Sequence, residues 1–421
     1  MTTPPAAPEK LVPQAASEDE SRWHLAWRHI TTGNAIISVF AVLLAVLAGS
    51  ILIAFTDKDV QATAGYFFAR PGDMLAAVWE AVSGAYAALF RGAVYNYRAD
   101  DFATGIRPFT ETLKFATPLI AAGLGVGLGF RAGLFNIGGQ GQMLIAAAAA
   151  GYVGGSLTMP WPLHLITAVM AGMVAAALWA GIAGFLKART GAHEVIVTIM
   201  LNHVAVYLLA WMLATQGVLQ APGSSNPKTA PMAESAILPP LIDGYKLHWG
   251  FVLALLAVAF TWWLLERSSL GFRFRAVGFN PHAARTAGIS VGATYVAVML
   301  IAGALVGIAG ASQMLGTVTS GFGGDIDAGI GFDAITVALL GRSAPLGILA
   351  AGILFGAFKA GGFAMQAAEG VPIEIVLVVQ SLIVLFIAAP PLVRAIFGLP
   401  QPEGARVRKK KATTTKKEVA A

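Results

Sequence analysis

The chain has 421 residues, of which 57% are hydrophobic and only 12% are Asp, Glu, Lys or Arg. Soluble domains carry about 25% charged residues, so this composition excludes a soluble globular enzyme. Cysteine is absent, which excludes disulfides, cysteine-ligated zinc, iron–sulfur clusters and thiol nucleophiles. The 48 glycines suit closely packed membrane helices. The composition therefore predicts an all-α polytopic membrane protein.

Residues 1–32 are polar and lack the basic and then apolar layout of a cleaved signal peptide. They are interpreted as a disordered cytoplasmic tail before a transmembrane domain over residues 33–393. Residues 394–421 form a basic cytoplasmic tail. Residues 57–111 mix charges of both signs and are predicted to be a long extracytoplasmic excursion.

A bilayer core needs about 20 apolar helical residues. Ala132–Leu186 has no Asp, Glu, Lys or Arg and is broken by Pro160 and Pro162, so it is predicted to be a hairpin of two spans. The other predicted spans are Gly33–Phe55, Phe115–Phe130, Val195–Gln216, Leu247–Leu265, Val291–Gly316, Gly331–Gly341, Leu346–Phe363 and Ile375–Val393. The total is about ten spans.

Lys and Arg mark the cytoplasmic ends of membrane helices. Basic groups occur at Arg131, at Lys187, in the loop 267–290, at Arg342 and in the C-terminal tail. With the N-terminus inside, ten alternating spans place all of these groups and both termini in the cytoplasm. The net charge of +6 is therefore assigned to topology and to the lipid bilayer, and no nucleic-acid partner is expected.

The segment from Arg131 to Gln142 combines glycines with carboxamides where an apolar stretch begins. Such a break exposes backbone groups and lets polar side chains line a cavity, as in the broken helices of transporters. Tight helix packing is the alternative interpretation. The residues predicted to line a substrate pathway here are Asn136, Gln140 and Gln142.

A related pattern recurs from Gly329 to Thr336, five predicted spans later. An odd offset makes the two copies run in opposite directions, which predicts an inverted repeat of two five-helix halves with the ligand path at their interface. Asp333 belongs to this second copy. It is a candidate helix N-cap facing water, and also a candidate pathway residue.

The loop 267–290 contains a short helix signal. Asn280 suits an N-cap, Pro281 the first helical position and Gly288 a left-handed stop. A helix of about seven residues is unstable alone, so it is expected to dock in a partner protein or on its own bundle. The residues predicted to couple this loop to a partner are Gly271, Arg275, Gly278, Asn280, Pro281 and Gly288.

Some polar residues lie within or beside the predicted spans. Glu194 and Glu374 are expected at the membrane interface, whereas Asn202 and His203 lie deeper. Asn202 is predicted to contact substrate or to hydrogen-bond a neighbouring helix. No Gly-Lys dipeptide occurs, so there is no Walker A loop. No catalytic set, metal site or cofactor site is predicted.

The segments Gly133–Ile145, His193–Asn202, Arg275–Ile289 and Gly331–Gly347 resemble, in the same order, the permease subunits of bacterial ABC importers for nucleosides and simple sugars. The resemblance covers roughly residues 110–390. Phe279 departs from the polar or acidic residue expected at its position. The Phe-Asn-Ile-Gly-Gly-Gln-Gly form is closer to the nucleoside branch than to ribose or galactose permeases.

This resemblance implies a fold like the type II ABC importer permeases in a bacterial cytoplasmic membrane. It also implies a partner ATPase that binds ATP, a second permease subunit and an extracytoplasmic binding lipoprotein. The loop Gly271–Ile289 would be the coupling helix that contacts the ATPase. Two alternatives stay open, a permease for a simple sugar and an ion-coupled secondary transporter, which would need a buried carboxylate or histidine relay.

Overall fold

The computed structural model describes residues 34–398, and both predicted tails lie largely outside this range. The described chain is all helical, with isolated bridges in place of strands. The helices are α1 (Asn34–Thr56), α2 (Lys58–Ala64), α3 (Pro71–Ala93), α4 (Phe102–Arg131), α5 (Gly139–Ser156), α6 (Leu163–Thr190), α7 (Glu194–Ala214), α8 (Gly250–Arg267), α9 (Ser269–Phe279), α10 (Pro281–Thr286), α11 (Val291–Ser312), α12 (Ile330–Leu340), α13 (Pro345–Glu369), α14 (Ile373–Ala388) and α15 (Pro390–Ile396). A single π turn, Gln313–Thr317, continues α11.

The predicted spans coincide with helices of this set, except that Ile375–Val393 is divided between α14 and α15, which Ala389 separates and the second of which begins at Pro390. In the described residues, 6 helices are long and apolar enough to cross a membrane, and shorter apolar helices occur at Val42–Thr56, Ile330–Leu340 and Ile373–Phe386. The prediction of an all-α polytopic membrane protein is confirmed. The total of ten spans and the inverted relation of the two halves stay predictions.

The structure differs from the sequence expectation at the start of α4 and in the segment 57–111. Helix α4 begins at Phe102, well before the predicted start at Phe115, because Asp101 caps it by accepting a 3.3 Å hydrogen bond from the Thr104 backbone N–H. Hydrogen bonds from the Thr104 side chain and backbone also lower the pKa of the Asp101 carboxyl. The predicted excursion 57–111 contains α2, α3 and the first turns of α4, so it is largely helical. Its side of the membrane stays a prediction.

The chain forms two compact units, residues 47–384 and a smaller unit whose described residues are 34–46 and 385–398. In the smaller unit, Phe40 and Phe397 stack with ring centroids 4.3 Å apart. In the larger unit, α4 lies at the centre of the core, and every residue from Ala116 to Gly129 is buried. Helix α7 instead buries a single face.

Contacts within the larger unit bring four of the five predicted basic groups to one end of the bundle. The Arg131 side chain donates from Nε to the Ser343 carbonyl oxygen at 2.9 Å, next to Arg342. The Lys187 ammonium lies 5.3 Å from the ring centroid of Tyr295, near the start of α11. A shared end is what the alternating topology requires.

Candidate functional site: the helix break and the coupling segment

Residues 132–138 form a non-helical turn between α4 and α5, which is called the helix break. Asn136 is fully buried, and its Oδ1 accepts hydrogen bonds from the Gly138 backbone N–H at 2.9 Å and from Gln142 Nε2 at 3.1 Å. Asn202, on α7, accepts from the Gly141 N–H at 2.8 Å and donates to the Ile137 carbonyl oxygen at 2.9 Å. These carboxamides satisfy backbone groups that the break leaves without helical partners.

This network decides how three predicted pathway residues are used. Asn136, Gln142 and Asn202 are 0%, 1% and 3% exposed. Their amides hydrogen-bond one another or the backbone. For Asn202, the geometry is that of hydrogen bonding between helices, one of the two uses expected for it. Direct contact of these residues with a substrate stays a prediction.

The first turns of α5 and α12 meet inside the protein. A Cβ atom placed on Gly139 would lie 2.7 Å from the Gly331 carbonyl oxygen, and one on Gly331 would lie 2.4 Å from the Gln140 backbone. Only glycine allows so close an approach. The two glycine-rich openings recognised in the sequence are therefore in direct contact, as expected for the interface between repeats.

Two polar side chains lie at this crossing. The half-buried Gln140 lies beside the carboxyl group of Asp327, which precedes α12. Asp327 is 5% exposed, and its Oδ2 has no hydrogen-bond partner in the described part of the chain. Asp327 was not among the predicted residues, because a carboxylate in a glycine-rich loop gives no helical or motif signal.

Asp333 lies in the first turn of α12 and is not its N-cap. The cap position is Gly329, which has a left-handed φ of 76°. The Asp333 carboxylate instead forms an ion pair with Lys359 of α13, with Oδ2 and Nζ 2.9 Å apart. Sequence reasoning missed Lys359, although a lone lysine inside the apolar span Leu346–Phe363 is the kind of residue that marks a functional site in membrane helices.

The predicted short helix in the loop 267–290 is present as α10. The Asn280 side chain accepts hydrogen bonds from the backbone N–H groups of His282 at 2.9 Å and Ala283 at 3.1 Å, and Pro281 occupies the first turn. Gly288 has a φ of 80°, as expected for the stop. Residues 269–279 form a further helix, α9, whose N-cap Ser268 accepts from the Gly271 N–H at 2.9 Å.

Close backbone contacts seat this segment on the bundle. Gly271 lies against the Leu264 carbonyl at the end of α8, and a Cβ atom on Gly278 would lie 2.2 Å from the Arg131 carbonyl oxygen. Gly278 therefore touches the turn at which α4 ends and the helix break begins. Val277 and Ala284 are buried in a small apolar cluster with Val291, which fixes α9 and α10 to the start of α11.

The opposite face of the segment is open to a partner. In α10, Ala284 is buried, whereas His282, Arg285 and Thr286 are exposed. Phe279, immediately before the Asn280 cap, is 95% exposed. Arg275 is half-buried, and its Nη1 has no hydrogen-bond partner in the described residues. Exposed aromatic and arginine side chains of this kind are enriched at protein–protein interfaces.

Comparison with known proteins gives a consistent result. The sequence model for the branched-chain amino acid transport system / permease component matches residues 109–388. The guanosine ABC transporter permease protein NupP of Bacillus subtilis is 40% identical over 300 residues, covering 70% of this chain and 85% of that protein. No solved structure is significantly similar to the chain.

Two further relatives carry different substrate names. The glucose ABC transporter permease protein TsgB13 of Haloferax volcanii is 36% identical over 288 residues, covering 66% of this chain and 75% of that protein. The nucleoside ABC transporter permease protein NupB of Lactococcus lactis is 33% identical over 323 residues, covering 75% of this chain and 87% of that protein. Because the family match spans most of the chain and takes in both the turn between α4 and α5 and the helices α9 and α10, the chain belongs to the branched-chain amino acid transport system / permease component family.

Proposed function

We propose that this chain is the membrane permease subunit of an ABC importer that moves nucleosides or related small polar solutes into the cytoplasm. Family membership and the names of NupP and NupB support the substrate class. The observation that carries the proposal is the seating of the capped helix α10 and its neighbour α9 on the turn that begins the helix break.

The contacts suggest how a partner would drive the permease. A protein bound to the open face of α10 pulls or pushes on α9, whose Gly278 lies against Arg131. The turn that follows Arg131 leads into α5, and Gly139 of α5 lies against Gly331 of α12. Movement of the coupling segment is thereby passed to both helix openings, which alternating access at a repeat interface requires.

The energy source in this proposal lies outside the chain. A cytoplasmic ABC ATPase binds and hydrolyses ATP, and this subunit needs no cofactor of its own. A second permease subunit, identical or related, completes the membrane pathway, and an extracytoplasmic binding lipoprotein delivers the solute. The subunit lies in the bacterial cytoplasmic membrane with both termini in the cytoplasm, as the placement of Lys and Arg predicts.

Two observations favour other functions. The similarity to TsgB13 supports a simple sugar as the alternative substrate of the same kind of importer. The buried Asp327, with an oxygen that lacks a partner in the described residues, is the type of group that an ion-coupled secondary transporter uses. A secondary transporter, however, has no partner ATPase, so the capped and exposed helix α10 would have no protein to dock with.

Purification of the tagged chain from its native membrane distinguishes these functions. The proposal predicts that mass spectrometry of the mildly solubilised complex finds an ATPase with Walker motifs, together with a second permease. A chain that purifies alone, and that transports in proteoliposomes on an ion gradient without ATP, would establish the secondary transporter instead.

A further inference from the structure

A cavity of about 310 Å³ lies between α12, α13 and α14, and reaches the middle of α4 and the π turn. This volume is at the lower end of the range for small-molecule sites. Its wall includes Gly329 and Ile330, so it borders the opening of α12 that meets α5. The contacts of Gly278 with Arg131 and of Gly139 with Gly331, which are proposed to pass on movement, lie outside this cavity.

A paired charge forms one part of the wall. Lys359 and Asp333 are joined by their 2.9 Å ion pair, with side chains 16% and 24% exposed, and Lys359 also donates to the Ala328 carbonyl oxygen at 3.3 Å. Charged residues inside membrane helices are costly and face cavities that serve function. Because the two charges compensate each other, the cavity suits a polar solute without net charge.

Two buried carboxamides lie in the same wall. Gln313 of the π turn and Gln380 of α14 are 9% and 5% exposed and line the cavity. Neither side chain hydrogen-bonds another residue within the described part of the chain. Their amide atoms keep accessible surface at the cavity, and π turns are frequent at functional sites. Gln313 and Gln380 therefore offer hydrogen-bond donors and acceptors to a ligand in the cavity.

Aromatic rings complete the wall. Phe115 and Phe363 have ring centroids 5.8 Å apart at an interplanar angle of 33°, and Phe358 lies beside them. Aromatic faces stack on nucleobases irrespective of sequence. A planar heterocycle with polar edges fits such walls better than an aliphatic sugar or a lipid chain, because only the heterocycle uses both the rings and the amides.

We propose that this cavity is a binding site for a nucleoside on its way through the permease. The base lies against the phenylalanine rings, its polar edge is hydrogen-bonded by Gln313 and Gln380, and the ion pair of Asp333 and Lys359 holds α12 and α13 together around it. The inference rests on the proposed function, and it names the residues that select the substrate.

The test uses the intact complex with its ATPase, reconstituted in proteoliposomes. Gln313→Leu and Gln380→Leu remove the amides and keep most of the side-chain volume, and Gln366→Leu is the matched control on the exposed face of α13. Loss of one ligand hydrogen bond raises the KM for labelled guanosine about tenfold. We expect this rise in both cavity variants, and an unchanged KM in the control.

A second measurement covers the case in which the variants fail to assemble. Photolysis of the wild-type complex with 8-azidoguanosine should label peptides that contain the cavity wall, at Phe115, Gln313, Asp333 or residues 358–380, and excess guanosine should suppress the labelling. Labelling elsewhere, or labelling that guanosine does not suppress, would overturn the cavity assignment.

The failures are distinguishable. A wild-type complex that imports guanosine with ATP, while both Gln→Leu variants keep its KM, overturns the cavity and leaves the proposed function intact. A wild-type complex that imports no nucleoside overturns both. Suppressible labelling together with a raised KM in the cavity variants supports both.

Discussion

Asn280 fixes the start of α10 through two hydrogen bonds to backbone N–H groups. This arrangement was predictable because N-cap, proline and glycine signals are local, and each constrains only the residues beside it. The docking of α10 on Val277 and Val291 depends on packing between α9, α10 and α11. No single local signal contains that contact.

Replacement of Asn280 and Pro281 by Gly-Gly tests the coupling helix. Glycine at the N-cap costs only a few tenths of a kcal/mol, but the double change also removes the fixed φ of Pro281 and adds the conformational freedom of two glycines. An isolated helix of 6 residues is too short to tolerate these losses. We expect transport and solute-stimulated ATPase activity to be abolished, with membrane insertion unchanged. Activity is measured on the reconstituted complex, and insertion by detergent extraction.

The single variant Asn280→Asp is the control for that change. Aspartate keeps the side-chain oxygen that caps the helix, so ATPase stimulation should stay near the wild-type value. Unchanged stimulation in the Gly-Gly variant would remove the coupling role from α10.

Phe279 is the second residue-scale test. Its side chain is 95% exposed beside the cap, and truncation of an aromatic anchor at an interface costs about 2 kcal/mol, or roughly 30-fold in affinity. Phe279→Ser should weaken binding of the ATPase to the detergent-solubilised permease by this amount. The matched control is Phe68→Ser, at an equally exposed phenylalanine in the predicted extracytoplasmic segment.

The ion pair between Asp333 and Lys359 shows what residue patterns leave out. Each residue could be flagged alone as an ionisable group in an apolar segment, but their pairing arises where α12 packs on α13. The same holds for Gln313 and Gln380, which come from separate helices and line one cavity only in the folded bundle.

At the scale of elements, helix positions followed from the length of the apolar runs. The exceptions have physical reasons. Helix α3 carries Asp73, Glu80 and Arg91 over 23 residues, so hydropathy gives no sign of it, and its stability comes from packing along α13. The early start of α4 was missed because Arg107, Glu111 and Lys114 interrupt the apolar pattern, although Lys114 is buried and paired with Glu111.

The crossing of α5 and α12 can be tested by adding one methyl group. A Cβ atom on Gly331 would lie 2.4 Å from the Gln140 backbone, and overpacking of this kind costs about 1–3 kcal/mol. Gly331→Ala should lower the thermal unfolding midpoint of the solubilised protein. Gly324→Ala, where a Cβ atom meets nothing within 4 Å, should leave the midpoint unchanged.

If both alanine variants unfold at the same temperature, the helix openings do not pack as tightly as described. A lower midpoint only in Gly331→Ala, with transport impaired, would connect the crossing to function as well as to stability.

For the whole molecule, composition and charge placement predicted the fold class, and the motifs predicted the family. The contacts at one end of the bundle between Arg131 and Ser343, and between Lys187 and Tyr295, agree with the predicted alternation of spans. Sequence alone could not place the coupling segment against the helix break, because residues 131 and 278 approach each other only in the folded bundle.

In the proposed function, ATP hydrolysis by a partner drives solute import through this subunit. The most direct measurement is uptake of labelled guanosine into proteoliposomes that contain the native complex and its binding protein, with ATP on the side of the ATPase and ionophores that remove all ion gradients. ATP-driven import predicts uptake that requires ATP and is insensitive to the ionophores. Uptake that needs no ATP and collapses with the ion gradients would contradict it.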